Sequence, residues 1–220
     1  MTTMTTMTTE TTDGRLRRGE LTRRAVLRRA VDIASIQGLE GLSIGKLASE
    51  LEISKSGLFA HFGAKEELQL ATIRAARRIY ADAVVVPARE APAGLERIWA
   101  MTEAWLDYSQ GRVFPGGCFF AKATHDFAAR PGKVRDALAA SNAEWMDLVE
   151  ETVEEARSLG HLAPTTDARQ LAFELNALYE GANLISLLRD EDQSVYDRAL
   201  RAVRTRLEEL AAPGAPHPWE

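Results

Sequence analysis

Apolar residues recur every three or four positions along nearly the whole chain, the spacing that gives a helix one buried face. Thr22 to Gln37 reads as an amphipathic helix ending at Gly38. Leu42 to Leu68, LSIGKLASELEISKSGLFAHFGAKEEL, holds two shorter helical patterns around a tight turn. Ser43 is placed to cap the first, and Leu47, Ala48 and Leu51 follow as its buried stripe. Ile53 sits in the turn, Ser54 caps the second helix, and Leu58 and Phe62 share its inner face. Downstream, a long helix is expected from Lys65 to about Val84, before Pro87 and Pro92 interrupt the pattern. Another runs from about Gly94 to Ser109. The segment GRVFPGGCFFAKATHDFAARPGK encloses a short apolar helix between two turns. Lys133 to Leu159 is helical and stops at Gly160, with Pro164 beyond. Thr166 is placed to cap a helix reaching about Leu188, and Ser194 one reaching Leu210. No stretch alternates with the period of a strand, so the fold class is all-α.

Two helices joined by a turn of three or four residues form a helix-turn-helix, whose second helix enters the DNA major groove. Here that helix exposes Lys55, Ser56 and Gly57 in its first turn. Its N-terminus carries free N–H groups and partial positive charge, which suits a phosphate. Gly57 costs about 1 kcal/mol of helix propensity relative to alanine. Close approach to DNA or to the preceding helix would account for it.

Leu47, Ala48, Leu51, Ile53, Ser54, Gly57, Leu58, Phe59, His61, Phe62, Lys65 and Leu68, together with the upstream helix ending before LEGLS, resemble the DNA-binding domain of the tetracycline-repressor (TetR) family of bacterial regulators. The resemblance covers roughly residues 20 to 70. It implies an all-helical homodimer: an N-terminal three-helix DNA-binding domain and a C-terminal helical domain that binds a ligand and dimerises. The implied partners are a double-stranded operator with an inverted repeat and a small-molecule effector. Candidate DNA-contacting residues are Ser43, Lys46, Ser54, Lys55, Ser56, Gly57, Phe59, His61 and Lys65, with Arg17 and Arg18 from a preceding arm. Three positions depart from the family pattern. Glu52 stands in a turn position that favours positive φ and usually holds glycine, so strain is expected there. Phe59 replaces a tyrosine and loses its hydroxyl contact. Gly45 stands where a polar side chain often helps hold DNA, and neighbouring Lys46 points about 100° away around the helix.

The boundaries that follow are a tail and arm over residues 1–19, a DNA-binding domain over 20–68, a ligand-binding and dimerisation domain over 69–212, and a Pro-rich tail over 213–220. The net charge of −5 looks wrong for a nucleic-acid binder, but it is unevenly distributed. Residues 1–65 hold ten Lys/Arg against seven Asp/Glu, and residues 66–220 hold seventeen against twenty-five. Arg15, Arg17, Arg18, Arg23, Arg24, Arg28 and Arg29 form a basic stretch that reads either as a phosphate footprint or as a solvated helix face. Before it, MTTMTTMTTETTDG is low in complexity, lacks the apolar core of a secretory signal, and is expected to be disordered. No apolar run approaches the roughly 18 residues that span a bilayer. The lone cysteine, Cys118, excludes an intramolecular disulfide and suits a reducing cytoplasm, the expected location.

Aromatic residues concentrate between Trp99 and Tyr179: Trp99, Trp105, Tyr108, Phe114, Phe119, Phe120, Phe127 and Trp145. Small-molecule pockets are mostly apolar with a few orienting polar groups. The candidate lining is Trp105, Phe114, Cys118, Phe119, His125, Trp145, Asn176, Tyr179, Glu180 and Asn183, although aromatics at helical spacing also serve as plain core. In the last two helices, Leu171, Leu175, Leu178, Ala182 and Ile185, then Leu200, Val203, Leu207 and Leu210, form stripes for dimerisation or for the domain's own core.

Catalytic signatures are weak. Gly41-Leu42-Ser43-Ile44-Gly45 matches the nucleophile-elbow pattern, but that chemistry needs a strand-to-helix turn and a parallel sheet. Ser43-Ile44-Gly45-Lys46 fits S-x-x-K without its companion motifs. The four histidines, His61, His125, His161 and His217, form no paired-ligand motif, so no cofactor or metal is expected. The competing reading is a helical small-molecule-binding or interaction protein without DNA binding, motivated by Glu52, Gly45 and Phe59.

Overall fold

A computed structural model describes residues 23–189 and 194–220. The threonine-rich segment and Arg15, Arg17 and Arg18 lie outside the described residues, so the expected tail and arm are not located. Among the described residues the fold is helical, with one isolated antiparallel bridge between Leu162 and Ala211. No helix among them is long and apolar enough to cross a membrane.

The first helix, α1, occupies residues 23–37 and ends where Gly38 takes φ +82°. Two short helices follow, α2 (Ile44–Glu50) and α3 (Lys55–Phe62). Both caps form as the sequence requires. The Ser43 hydroxyl accepts from the Lys46 N–H at 3.2 Å, and Ser54 accepts from that of Gly57 at 3.1 Å. The turn between them is a Schellman closure, with Ile53 N–H donating to Ala48 O (3.1 Å) and Glu52 N–H to Ser49 O (3.3 Å). Glu52 takes φ +54° to make it. Leu39, Leu47, Leu58, Phe62 and Leu68 join Val26 and Ala30 in the core beneath.

Helix α4 (Lys65–Tyr80) does not stop near Val84, as Pro87 suggests it should. It widens into a π turn over Ala81–Val85 and continues as α5 (Val86–Glu90). Val86 N–H reaches back to Ala81 O, five residues away. Pro87 then falls in the first turn of α5, where its missing N–H and fixed φ cost little.

The C-terminal domain is completed by α6 (Leu95–Gln110), α7 (Phe119–Phe127), α8 (Lys133–Ser158), α9 (Ala168–Leu188) and α10 (Ser194–Leu210). Thr166 does not cap α9. Asp167 does, accepting from Gln170 N–H at 3.0 Å, while Thr166 is buried. Helix α10 begins at Ser194, directly after residues that lie outside the described ones. The terminal residues 213–220 are not a separate tail, because Trp219 stacks edge-on against Trp99 at 5.4 Å and is partly buried. Most of the expected dimer stripe packs on the domain itself: Leu171, Leu175, Ala182, Val203 and Leu207 are core. A different set on α9, Phe173, Leu184 and Leu188, lies exposed together with Ile185.

Candidate nucleic-acid interface and ligand cavity

The outer face of α3 follows from its burial pattern. Leu58 and Phe62 point into the core, leaving Lys55, Ser56, Gly57, Phe59 and His61 exposed on a helix of eight residues. Ser43, Lys46 and Ser54 are exposed beside it. A Cβ on Gly57 would stand 2.9 Å from the Ser54 hydroxyl that caps the helix. The equivalent position behind the Ser43 cap holds Lys46, so this cap favours a small residue at Gly57 without requiring glycine. A Cβ on Gly45 would meet Lys55 Cε at 3.8 Å, an ordinary contact that does not require glycine. Phe59 is 55 % exposed, a large apolar side chain left on the outer face of the helix.

Several basic residues are already engaged. Arg23 donates to the His61 carbonyl (3.2 Å) and lies over the Phe62 ring, tying α1 to the end of α3. Arg29 makes a two-pronged bond to Glu50 of α2, and Arg28 reaches Asp32 and the Val113 carbonyl. Arg23, Arg28 and Arg29 thus brace the domain, whatever else the basic stretch does. Lys46 bonds Gln37. Lys65 pairs with Glu40 at 2.9 Å, and that hydrogen bond holds the Glu40 carboxyl below its usual range. Ser43 serves as a helix cap with no sheet around it, which removes the structural context a hydrolase nucleophile needs.

A cavity of about 830 Å³ opens in the C-terminal domain between α4, α7, α8 and α9. Of the candidate ligand-binding residues, Trp105, Cys118, His125, Trp145, Asn176 and Glu180 line it. Phe114, Phe119, Tyr179 and Asn183 do not. Phe114 and Phe119 are core, and the Tyr179 hydroxyl is spent on Thr102 (2.8 Å). Asn183 is a buried bracket, its Oδ1 accepting from Cys118 N–H at 2.9 Å and from Ser109 Oγ at 3.1 Å. Tyr80 and Phe120 take their place on the wall, with Arg77 and Glu144 paired beside them. Tyr80 lies in the helix leading out of the DNA-binding region, so its sequence position gave no hint of a pocket.

Within the cavity, Trp145 Nε1 donates to Asn176 Oδ1 at 2.9 Å, which leaves the Asn176 amide N–H groups as the free donors. Glu180 is the one carboxylate set deep. Burial lifts it to about 7, and its sole hydrogen bond among the described residues is from Cys118 Sγ at 3.9 Å. Burial pushes the Cys118 thiol up to about 12, so it is not a reactive thiolate.

The cavity touches the DNA-binding domain through α7. That helix sends Phe120, Thr124 and His125 toward the cavity, while Asp126 accepts from the Leu39 N–H at 3.1 Å. Gly38 accommodates this carboxylate, since a Cβ there would collide with it. In the preceding loop, Gly116 N–H donates to Ser35 Oγ at 3.1 Å, and a Cβ on Gly116 would strike the Ser35 carbonyl. Arg130 adds a contact to Glu40 at 3.4 Å.

Comparison with known proteins agrees at both ends of the chain. The profile of bacterial regulatory proteins of the tetR family matches residues 26–72, and that of the tetracyclin repressor-like C-terminal domain matches residues 94–203. No protein of curated function matches in sequence. Among solved structures, a TetR transcriptional regulator from Chloroflexus aurantiacus J-10-FL superposes with a TM-score of 0.82 at 22% identity, over 89% of this chain and 98% of that one. AibR in complex with isovaleryl coenzyme A and operator DNA gives 0.64 at 22% identity, over 82% and 96%. A regulator from Saccharomonospora viridis in complex with choline gives 0.69 at 21% identity, over 88% and 98%.

Proposed function

The chain belongs to the TetR family of bacterial regulators, and from that premise we propose that it is a cytoplasmic homodimeric repressor, released from a palindromic operator by a small molecule. It is a DNA-binding transcriptional regulator rather than an enzyme. The observation that carries the proposal is the outer face of α3, where Lys55, Ser56, Phe59 and His61 stand exposed around a properly capped helix N-terminus. Lys55 is free to meet a base edge or phosphate, and the exposed Phe59 ring suits a thymine methyl.

Dimerisation is favoured by α9. Phe173, Ala177, Gly181, Leu184 and Leu188 recur at three- and four-residue spacing on one side, and the three large residues are 57–75 % exposed. A second copy packed there would hide that side and present two reading helices. The effector reading rests on the cavity, and the route to DNA on α7, which lines the cavity and holds the Leu39 N–H through Asp126. Two of the similar structures hold a small molecule, and one of these also holds operator DNA.

Selection of bound sequences from random duplex DNA tests this reading. An inverted repeat with half-site centres about one helical turn apart, or a multiple, is expected. Absence of enrichment would favour a helical binder that does not read DNA, and an asymmetric site filled by one monomer would overturn the dimer.

A further inference from the structure

Glu180 is a cavity carboxylate whose charge the fold leaves without an ionic partner among the described residues. It lies in the wall of a largely apolar cavity. The apolar wall disfavours the charged form of this carboxylate, and a cation arriving from outside would offset that cost. Three features of the surroundings say what kind. First, Tyr80 meets Trp145 at 5.3 Å and Phe120 at 5.6 Å, with interplanar angles of 87° and 79°. These three rings form an aromatic corner of the cavity wall, and a cation is attracted to whatever ring face such a wall exposes. Second, the charged lining is acidic on balance. Glu144, Asp147, Glu151 and Glu180 face only Arg77 and Arg89, and Arg77 is already taken by Glu144. Third, a volume of about 830 Å³ far exceeds a bare ammonium and leaves room for an apolar body.

We propose that the cavity takes an organic cation, an amine or ammonium head held between Glu180 and the Tyr80–Trp145–Phe120 corner, with an apolar tail filling the remaining space. The Asn176 amide, oriented by Trp145, would serve a hydroxyl or carbonyl on that tail. The inference deepens the effector reading and rests on it, so binding and DNA release are measured as separate quantities.

Calorimetry with three probes of one shape and different heads decides the matter: phenylbutylamine, phenylbutanol and phenylbutanoate. The amine is expected to bind at least about tenfold tighter than the alcohol, and the acid weakest of all. Glu180→Gln should abolish the gap between amine and alcohol, with an unchanged circular dichroism spectrum reporting an intact fold. Trp145→Leu should weaken the amine more than the alcohol. The proposal is overturned if the acid or alcohol equals the amine, if the gap survives Glu180→Gln, or if none of the three binds. An amine that binds as expected yet leaves the selected operator occupied upholds the cation site and removes the effector role.

Discussion

Glu52→Gly should make this protein more stable, although it removes a side chain and adds a glycine. Glu52 sits at φ +54° because the turn closing α2 needs a left-handed residue there. The two hydrogen bonds of that closure, Ile53 to Ala48 and Glu52 to Ser49, can form only in this conformation. Holding a residue with a Cβ in the left-handed region costs about 1–2 kcal/mol. Glycine removes that strain but gains freedom in the unfolded chain, which returns about 0.5–1 kcal/mol. The net gain is then roughly 0.5–1 kcal/mol, or about 1–4 °C in Tm for a chain of this size. Glu52 is exposed, so Glu52→Gln is the control: it removes the charge, keeps the strained φ, and should leave Tm nearly unchanged. Thermal melts of the three proteins followed by circular dichroism suffice. A glycine variant melting at or below the glutamine variant would refute the account of the turn.

Other outcomes follow from the packing and the charges. Gly116→Ala drives a methyl group into the Ser35 carbonyl, so denaturant melts should show a loss of about 1–3 kcal/mol or more. Lys55→Ala should relax base preference in binding titrations, whereas Lys65→Ala, which frees Glu40, should weaken all duplexes alike. Glu180, raised from 4.5 to about 7 by burial, binds a proton more readily folded than unfolded, so its destabilisation is absent below pH 4.5 and grows through about pH 7. Glu180→Gln should therefore raise Tm at pH 8 and leave it near the parent value at pH 4.5, with a ceiling of about 3 kcal/mol. With its thiol lifted to about 12, Cys118 should be alkylated at pH 8 orders of magnitude more slowly in the native protein than in urea.

The helix-turn-helix was legible in the chain because every device that builds it is local. Ser43 and Ser54 cap backbone groups three residues away, Leu58 and Phe62 lie one turn apart, and Glu52 is strained by its own backbone. Such features need no knowledge of what packs on them. The resemblance in residues 20 to 70 drew on the same short-range pattern. Helix ends were also readable to within a few residues, except where Pro87 was taken for a stop; a π turn lets the helix pass it, and only hydrogen bonding across the turn decides that.

The cavity was a different matter. Phe119 and Phe120 are neighbours of one type on one short helix, yet the first is core and the second is wall. Tyr179 and Glu180 divide in the same way, and Asn183, a plausible ligand-binding amide by composition, is spent on Cys118 and Ser109. The charge of Arg23, Arg28 and Arg29 is readable in the sequence, whereas their partners Phe62, the Val113 carbonyl and Glu50 are not. By itself the sequence determined which residues form helices and which face of each is apolar, since both follow from spacing and caps within a few residues. What those faces meet was decided by the tertiary structure alone, because contacts such as Tyr80 with Trp145, or Asp126 with Leu39, join segments whose separation along the chain carries no trace of the pairing.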